Sequence, residues 1–385
     1  MALLDAHTAA VLARDIYGVN DDNEIPFRIF LGRAIFAQGE RQKVLKAAVG
    51  GHIIRSAIDG FGVCVMGEGI YKDDLFLIFR GTTTANNKAD FVTDARIGIT
   101  YSKTGSPVHI GFNHTFNSMQ KNIETFINAG KIKGTIHCVG HSLGGAVASL
   151  AADWISANYV NTVQLYTFGA PRVGLGFFTK KTTSRIYAEN MHRIYHRTDP
   201  VPMIPLYPYA HAPSPGKGYF ISSSEPLATA EAHSMQKYVD NVESKSWEEL
   251  GNVPEEPYTI ESEIERWLKS KSPVDANSHA FWRWIDSALI YVLKKVAMSV
   301  LISIQGAVSG SHTILDKIAY MLAKGIDLSK NISIWVQRLM RKLMQALGME
   351  PKEDKKDLTR SFIHRILVMI TQKAYSYAKK ALKSI

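Results

Sequence analysis

The stretch TIHCVGHSLGGAVASLAADWI, residues 135–155, decides the fold. Its first five residues, Thr135 to Val139, form a short apolar run of strand type. From Leu143 onward the apolar residues Leu143, Ala146, Val147, Leu150, Ala151, Trp154 and Ile155 recur at helical spacing. Between the two lies Gly140-His141-Ser142-Leu143-Gly144, a G-x-S-x-G sequence. A serine on a sharp strand-to-helix turn holds its hydroxyl above the sheet edge, and the flanking glycines leave room for that turn. The helix N-terminus behind it offers free N–H groups and a positive dipole end to a developing oxyanion. A bare G-x-S-x-G arises by chance in many turns. The strand before it and the helix after it are what point to a nucleophilic serine.

The surroundings extend this pattern. Residues 4–18 read as an amphipathic helix, and strands are expected at 62–67 and 74–80. A helix at about 112–129 leads into the serine strand. Two further strands, 162–167 and 193–196, flank a helix near 174–186. The run Leu75 to Phe79 is continuously apolar, as in a strand covered on both faces. Strands alternating with helices predict an α/β fold: an α/β-hydrolase-type, mostly parallel sheet with helices on both faces.

The chain has 385 residues, 46% of them hydrophobic, enough for one large or two ordinary domains. Its net charge of +10 is unevenly placed. Residues 1–260 carry 24 basic and 24 acidic side chains, whereas residues 261–385 carry 21 and 11. Such asymmetry suggests a second functional unit facing an anionic partner. We divide the chain into a hydrolase-like domain (1–245), an acidic, proline-containing linker (246–275) with a helix at about 260–270, and a basic all-α region of amphipathic helices (276–385). Four helices are expected there, within 279–309, 311–325, 331–347 and 357–382. None contains the roughly 18 unbroken apolar residues of a spanning helix. Cys64 and Cys138 lie in apolar strand-like runs and read as buried free thiols. No metal-ligand spacing and no phosphate-binding glycine loop is present, so no cofactor is expected.

A nucleophilic serine needs a base, and the base needs an orienting carboxylate. In this fold the chain order is serine, acid, histidine. Asp199 follows the strand 193–196 and precedes Pro200, at a strand C-terminal edge where such sheets build their sites. For the base, spacing alone leaves His211 and His233 open.

Six motifs occur in order: Phe79-Arg80-Gly81-Thr82, His109-Ile110-Gly111-Phe112, Gly140 to Ala146, Thr167-Phe168-Gly169-Ala170-Pro171-Arg172, Asp199-Pro200-Val201-Pro202, and His233. Together, over roughly residues 5–245, they resemble the class 3, fungal-lipase-like family of α/β hydrolases. The resemblance implies Ser142 as nucleophile, Asp199 as acid and His233 as base. It implies an oxyanion hole from Thr82 and the Leu143 N–H, and it leaves His109, His141 and His211 in structural roles. It places a lid at residues 83–94, including Thr84, Asn86, Asn87 and Phe91. This segment is shorter and more polar than lids of that family, which suits a polar-headed ester.

The expected function is hydrolysis of acyl esters in membrane glycerophospholipids, a phospholipase A-type reaction. The alternatives are a triacylglycerol or small-ester lipase, and a membrane-permeabilising helical protein on a hydrolase scaffold. The basic helices suit a phospholipid surface through tryptophans such as Trp282, Trp284 and Trp335 beside Lys and Arg. They equally suit a bundle packed on itself. No nucleic-acid-reading module is present. Residues 1–7 show no Sec signal pattern. With the basic helices, this resembles bacterial lipase effectors of type VI secretion. Such a chain is made in the cytoplasm, exported by a signal-less route to a target membrane or periplasm, and partnered by immunity or secretion-machinery proteins.

Overall fold

All five residues of the apolar run Leu75–Phe79 are buried, because the strand they form lies inside a sheet with helices on both faces. The computed structural model describes residues 2–19, 24–38, 42–49, 57–81, 98–130, 132–216, 218–222, 227–252, 257–300, 313–352 and 354–382. In chain order the elements are α1 (Ala6–Asp15), α2 (Glu24–Leu31), β1 (Gln42–Val49), β2 (Ala57–Met66), β3 (Leu75–Phe79), β4 (Ile99–Tyr101), β5 (Pro107–His109) and α3 (Ile110–Gly130). The serine segment supplies β6 (Ile136–His141) and α4 (Leu143–Asn158). There follow β7 (Val163–Phe168), β8 (Gly174–Leu175), α5 (Gly176–Ile186), β9 (Met191–His196), β10 (Tyr209–Ala210), β11 (Tyr219–Ile221), α6 (Met235–Val242) and α7 (Trp247–Gly251). The C-terminal part holds α8 (Glu261–Lys269), α9 (His279–Val300), α10 (Ile314–Leu328), α11 (Lys330–Ala346) and α12 (Arg360–Leu382).

The main sheet runs β1-β2-β3-β6-β7-β9-β11. From β3 to β11 every pairing is parallel, while β1 and β2 extend the edge antiparallel. Cys64, Leu77 and Cys138 lie in register across β2, β3 and β6, and both cysteines are free and buried. One apolar cluster packs α3 and α4 on one side of the sheet, and a second packs α1 and α6 on the other. β1 and β11 are additions to the expected strands. A small antiparallel sheet, β10-β8-β5-β4, lies apart from the main one.

The helices α9 to α12 form a third core. It is continuous with Leu175, Val201, Met203, Ile204, Leu206 and Tyr209 of the α/β part. The segment 246–275, expected as a linker, is built into this body. Ile264 and Leu268 of α8 are buried in the helical core. The C-terminal carbonyls of α8 are satisfied from α11: Arg341 Nη2 donates to Leu268 O (2.9 Å) and Ser270 O (3.1 Å), and Lys342 Nζ to Ser272 O (3.1 Å). Cations there complement the negative end of a helix. The acidic, mixed composition hid this because α8 buries only a narrow stripe.

Candidate active site

Ser142 stands between β6 and α4 with φ 56° and ψ −128°, a conformation uncommon for a residue with a side chain. The turn is held from both sides. Ser142 N–H donates to Phe168 O of β7 (2.9 Å), and its carbonyl accepts from Gly145 N–H (3.0 Å) and Ala146 N–H (3.2 Å). A Cβ at Gly144 would collide with the carbonyl oxygens of Phe79 and Arg80, so the helix packs here only through glycine.

The structure brings Ser142, His233 and Asp199 into one hydrogen-bonded chain. His233 Nε2 lies 2.9 Å from Ser142 Oγ, and His233 Nδ1 lies 2.8 Å from Asp199 Oδ2. Ser142 and His233 are fully buried, and Asp199 is 1% exposed. Asp199 follows β9 and His233 lies in the 3₁₀ turn Glu231–His233 before α6. The carboxylate is held at both oxygens: Oδ1 accepts from Val201 N–H (2.8 Å), and Oδ2 also accepts from the Tyr238 hydroxyl (2.7 Å). The Tyr238 oxygen in turn accepts from His196 N–H (2.9 Å). Gly169, at φ 54°, lets the chain pass beneath. A Cβ there would stand 2.7 Å from Asp199 Oδ2 and 3.0 Å from His233 Nδ1.

A second set of bonds fixes the histidine's backbone. His141 Nε2 lies 3.0 Å from His233 O, and His141 Nδ1 lies 2.7 Å from the Tyr17 hydroxyl. A carbonyl only accepts, so Nε2 carries the hydrogen and a neutral Nδ1 accepts from tyrosine. Burial, with His233 close by, holds the His141 pKa well below the usual histidine range, which keeps that neutral form. The Tyr17 hydroxyl also lies against Gly81 of the loop after β3, and burial pushes its phenol pKa up. Tyr17 thereby ties α1's end to the loop after β3 and to the serine turn.

His211 is away from Ser142. Its Nε2 donates to Pro202 O (2.8 Å), which braces the turn after Asp199. His109 accepts from Gly111 N–H (3.2 Å) and packs on Phe112, with burial lowering its pKa to about 4. Leu143 is the first residue of α4, where a backbone N–H has no partner within the helix. Thr82 and the lid positions Thr84, Asn86, Asn87 and Phe91 lie outside the described residues. Among the described residues no cluster of metal-ligating side chains occurs.

Two residues of this site, Tyr17 and Tyr238, carry no spacing signal in the sequence. The other unforeseen feature is the seat of the helical region. α12 packs on the turns Val201–Met203 and Glu231–His233, which adjoin the acid and carry the histidine. Leu227 bridges Ser278, Ala228 N–H donates to Asn277 O (3.1 Å), and Thr229 N–H donates to Thr198 O (3.1 Å). Asp286 of α9 accepts from Arg172 Nη1 and from Tyr207 N–H, both at 3.0 Å. A cleft of about 280 Å³ at this junction is lined by Arg172, Leu175, Tyr207, Tyr209 and Asp286, among others, and by none of the three triad residues.

The fold and this arrangement define an α/β hydrolase with a serine–histidine–aspartate constellation. Residues 76–208 match the family model described as lipase (class 3). It is 33% identical over 162 residues to secreted mono- and diacylglycerol lipase 1 of Fusarium solani, covering 40% of this chain and 46% of that protein. It is 36% identical over 102 residues to Toxin TseL of Vibrio cholerae, covering 26% of this chain and 15% of the toxin. The chain thus spans about half the length, or less, of these curated relatives. The crystal structure of Lip2 lipase from Yarrowia lipolytica is similar at 21% identity and a TM-score of 0.40, covering 58% of this chain and 80% of that one.

Proposed function

We propose that this protein is a serine carboxylic-ester hydrolase that cleaves acyl esters of membrane glycerophospholipids. The observation that carries the reading is the unbroken chain Ser142 Oγ, His233 Nε2, His233 Nδ1, Asp199 Oδ2, at 2.9 and 2.8 Å. In this scheme Ser142 Oγ bonds to the ester carbonyl carbon as its proton passes to His233 Nε2. Asp199 holds the imidazole tautomer and stabilises the imidazolium. The oxyanion is received by the Leu143 N–H, with Thr82 as the second donor. Collapse expels the lysolipid oxygen, which takes the proton from His233. Water, deprotonated by the same histidine, then attacks the acyl-enzyme and releases the fatty acid.

The phospholipid as substrate is supported by the basic surplus in residues 261–385. The likeness to a protein named a toxin supports an effector acting on a target cell's membrane and matched by an immunity partner. The relative named a mono- and diacylglycerol lipase favours the second reading, a neutral-glyceride hydrolase.

Product analysis by mass spectrometry on liposomes of bacterial phospholipids, with diacylglycerol included, tests these readings. Lysophospholipid and free fatty acid from the wild type, absent with Ser142→Ala, are expected. Consumption of the glyceride alone would replace the phospholipid reading by the neutral-lipid one. Equal turnover by Ser142→Ala would remove both.

A further inference from the structure

The helices α10 and α12 pack side by side, and their outer edge carries two aromatic rings, each bracketed by two cations. Tyr320 of α10 is 41% exposed; Lys324 Nζ lies 5.8 Å and Arg360 Cζ 5.5 Å from its ring centre. Phe362 of α12 is half-buried; Lys352 Nζ lies 5.3 Å and Arg365 Cζ 5.5 Å from its ring. Met369, one turn beyond Arg365, is 37% exposed and continues the edge. Asp316 faces His364 Nε2 at 3.4 Å and caps α10 through Thr313, and Glu350, Asp354 and Asp357 stand within three residues of Lys352 or Arg360 in the sequence.

We propose that this α10/α12 edge is the surface by which the protein docks on an anionic phospholipid bilayer. The chemistry fits that partner. Exposed cation–aromatic pairs stabilise the fold only weakly, a poor reason to gather four of them on one edge. At a bilayer the rings sit at headgroup level and the cations meet lipid phosphates, each contributing attraction near an anionic surface. The edge lies in the C-terminal third, which holds the chain's whole basic excess. Among the described residues no helix is long and apolar enough to cross a membrane. α12 also packs on the turns Val201–Met203, which follows Asp199, and Glu231–His233. The inference rests on the phospholipid reading above, but binding is read separately from cleavage.

The test uses the full-length Ser142→Ala protein, which leaves vesicles intact, in flotation with phosphatidylglycerol–phosphatidylcholine vesicles and with phosphatidylcholine alone. Binding to the anionic vesicles is expected. It should weaken about tenfold or more when Lys324, Lys352, Arg360 and Arg365 are all replaced by Gln. A charge-matched control, Lys121, Lys133, Lys180 and Lys181 to Gln, should keep it. Equal losses in both variants, or none in the first, would overturn the assignment to this edge. Retention on an RNA or DNA oligonucleotide without vesicle binding would assign the patch to nucleic acid and overturn it as well. If the fourfold variant does not fold, the Tyr320→Trp protein decides. Its added indole should be quenched by brominated phosphatidylglycerol, and no quenching above the unsubstituted protein would refute docking here. With Ser142 restored, the fourfold variant should hydrolyse a soluble short-chain ester as the wild type does. Loss of vesicle binding with soluble-ester activity intact leaves the catalytic reading standing.

Discussion

His141 and His233 are joined by a hydrogen bond from the ring of one to the backbone of the other, His141 Nε2 to His233 O at 3.0 Å. The residue before the nucleophile thus fixes the main chain of the residue that activates it. The ring of His233 is aimed by Asp199 and its backbone by His141, so its Nε2 has little freedom but to face Ser142.

The Tyr17 hydroxyl completes this linkage, so Tyr17→Phe should lower kcat while leaving KM nearly unchanged. One lost hydrogen bond corresponds to about 0.5–1.5 kcal/mol, or roughly two- to twelvefold in rate. Tyr238→Phe should act in the same range, since Asp199 keeps its bonds from Val201 and His233. Steady-state kinetics on a soluble ester checks both. A change in KM alone would mean that these tyrosines touch substrate binding and not the triad.

Much of this architecture was legible in the sequence. The serine turn declares itself because strand, glycine-flanked serine and helix each follow from short-range pattern. Asp199 is marked by its position between β9 and Pro200. The choice of His233 over His211 rested on resemblance, because both follow loops and nothing in their spacing says which reaches Ser142. Tyr17 and Tyr238 were invisible for a physical reason. On amphipathic helices a tyrosine reads as an apolar face residue, and only the tertiary fold shows where its hydroxyl ends. The junction through Asp286 and Arg172 spans 114 positions and leaves no local trace. β11, three residues long, is too short for a periodic signal.

Asp286 joins the helical region to the acid-bearing loop. Asp286→Ala leaves Arg172 and the Tyr207 N–H without that acceptor in a site where the two charged side chains are only 13% and 17% exposed. We expect a loss of about 2 kcal/mol or more in unfolding free energy and a lower kcat, with Asp286→Asn recovering part of both. Denaturant unfolding and kinetics on the full chain would show it. Unchanged values for Asp286→Ala would mean that the helical region does not brace the catalytic loop.

Stability should fall between about pH 6.5 and pH 4. Burial lowers His109, His192 and His196 to about 4 in the folded protein, against about 6.5 in the unfolded chain. In that window the unfolded state binds more protons, so acidification favours unfolding. Each histidine contributes at most about 2 kcal/mol of this loss by pH 5. Thermal melts from pH 7.5 to 5 measure the slope, and His192→Phe should flatten it. A melting temperature independent of pH in this range would contradict neutral burial of these rings.

Cys64 and Cys138 are fully buried, and desolvation raises both thiol pKa values. Neither should react with a thiol-disulfide reagent in the native protein, and both should react after denaturation. Rapid native labelling would show that the β2–β3–β6 core opens far more readily than its packing indicates.

The most direct test of the central claim is covalent trapping with a fluorophosphonate, mapped by peptide mass spectrometry. The account predicts one adduct, on the peptide carrying Ser142. Labelling should be lost in Ser142→Ala and slowed by orders of magnitude in His233→Ala. An adduct on another serine, or undiminished labelling of Ser142 without His233, would contradict the assignment of nucleophile and base.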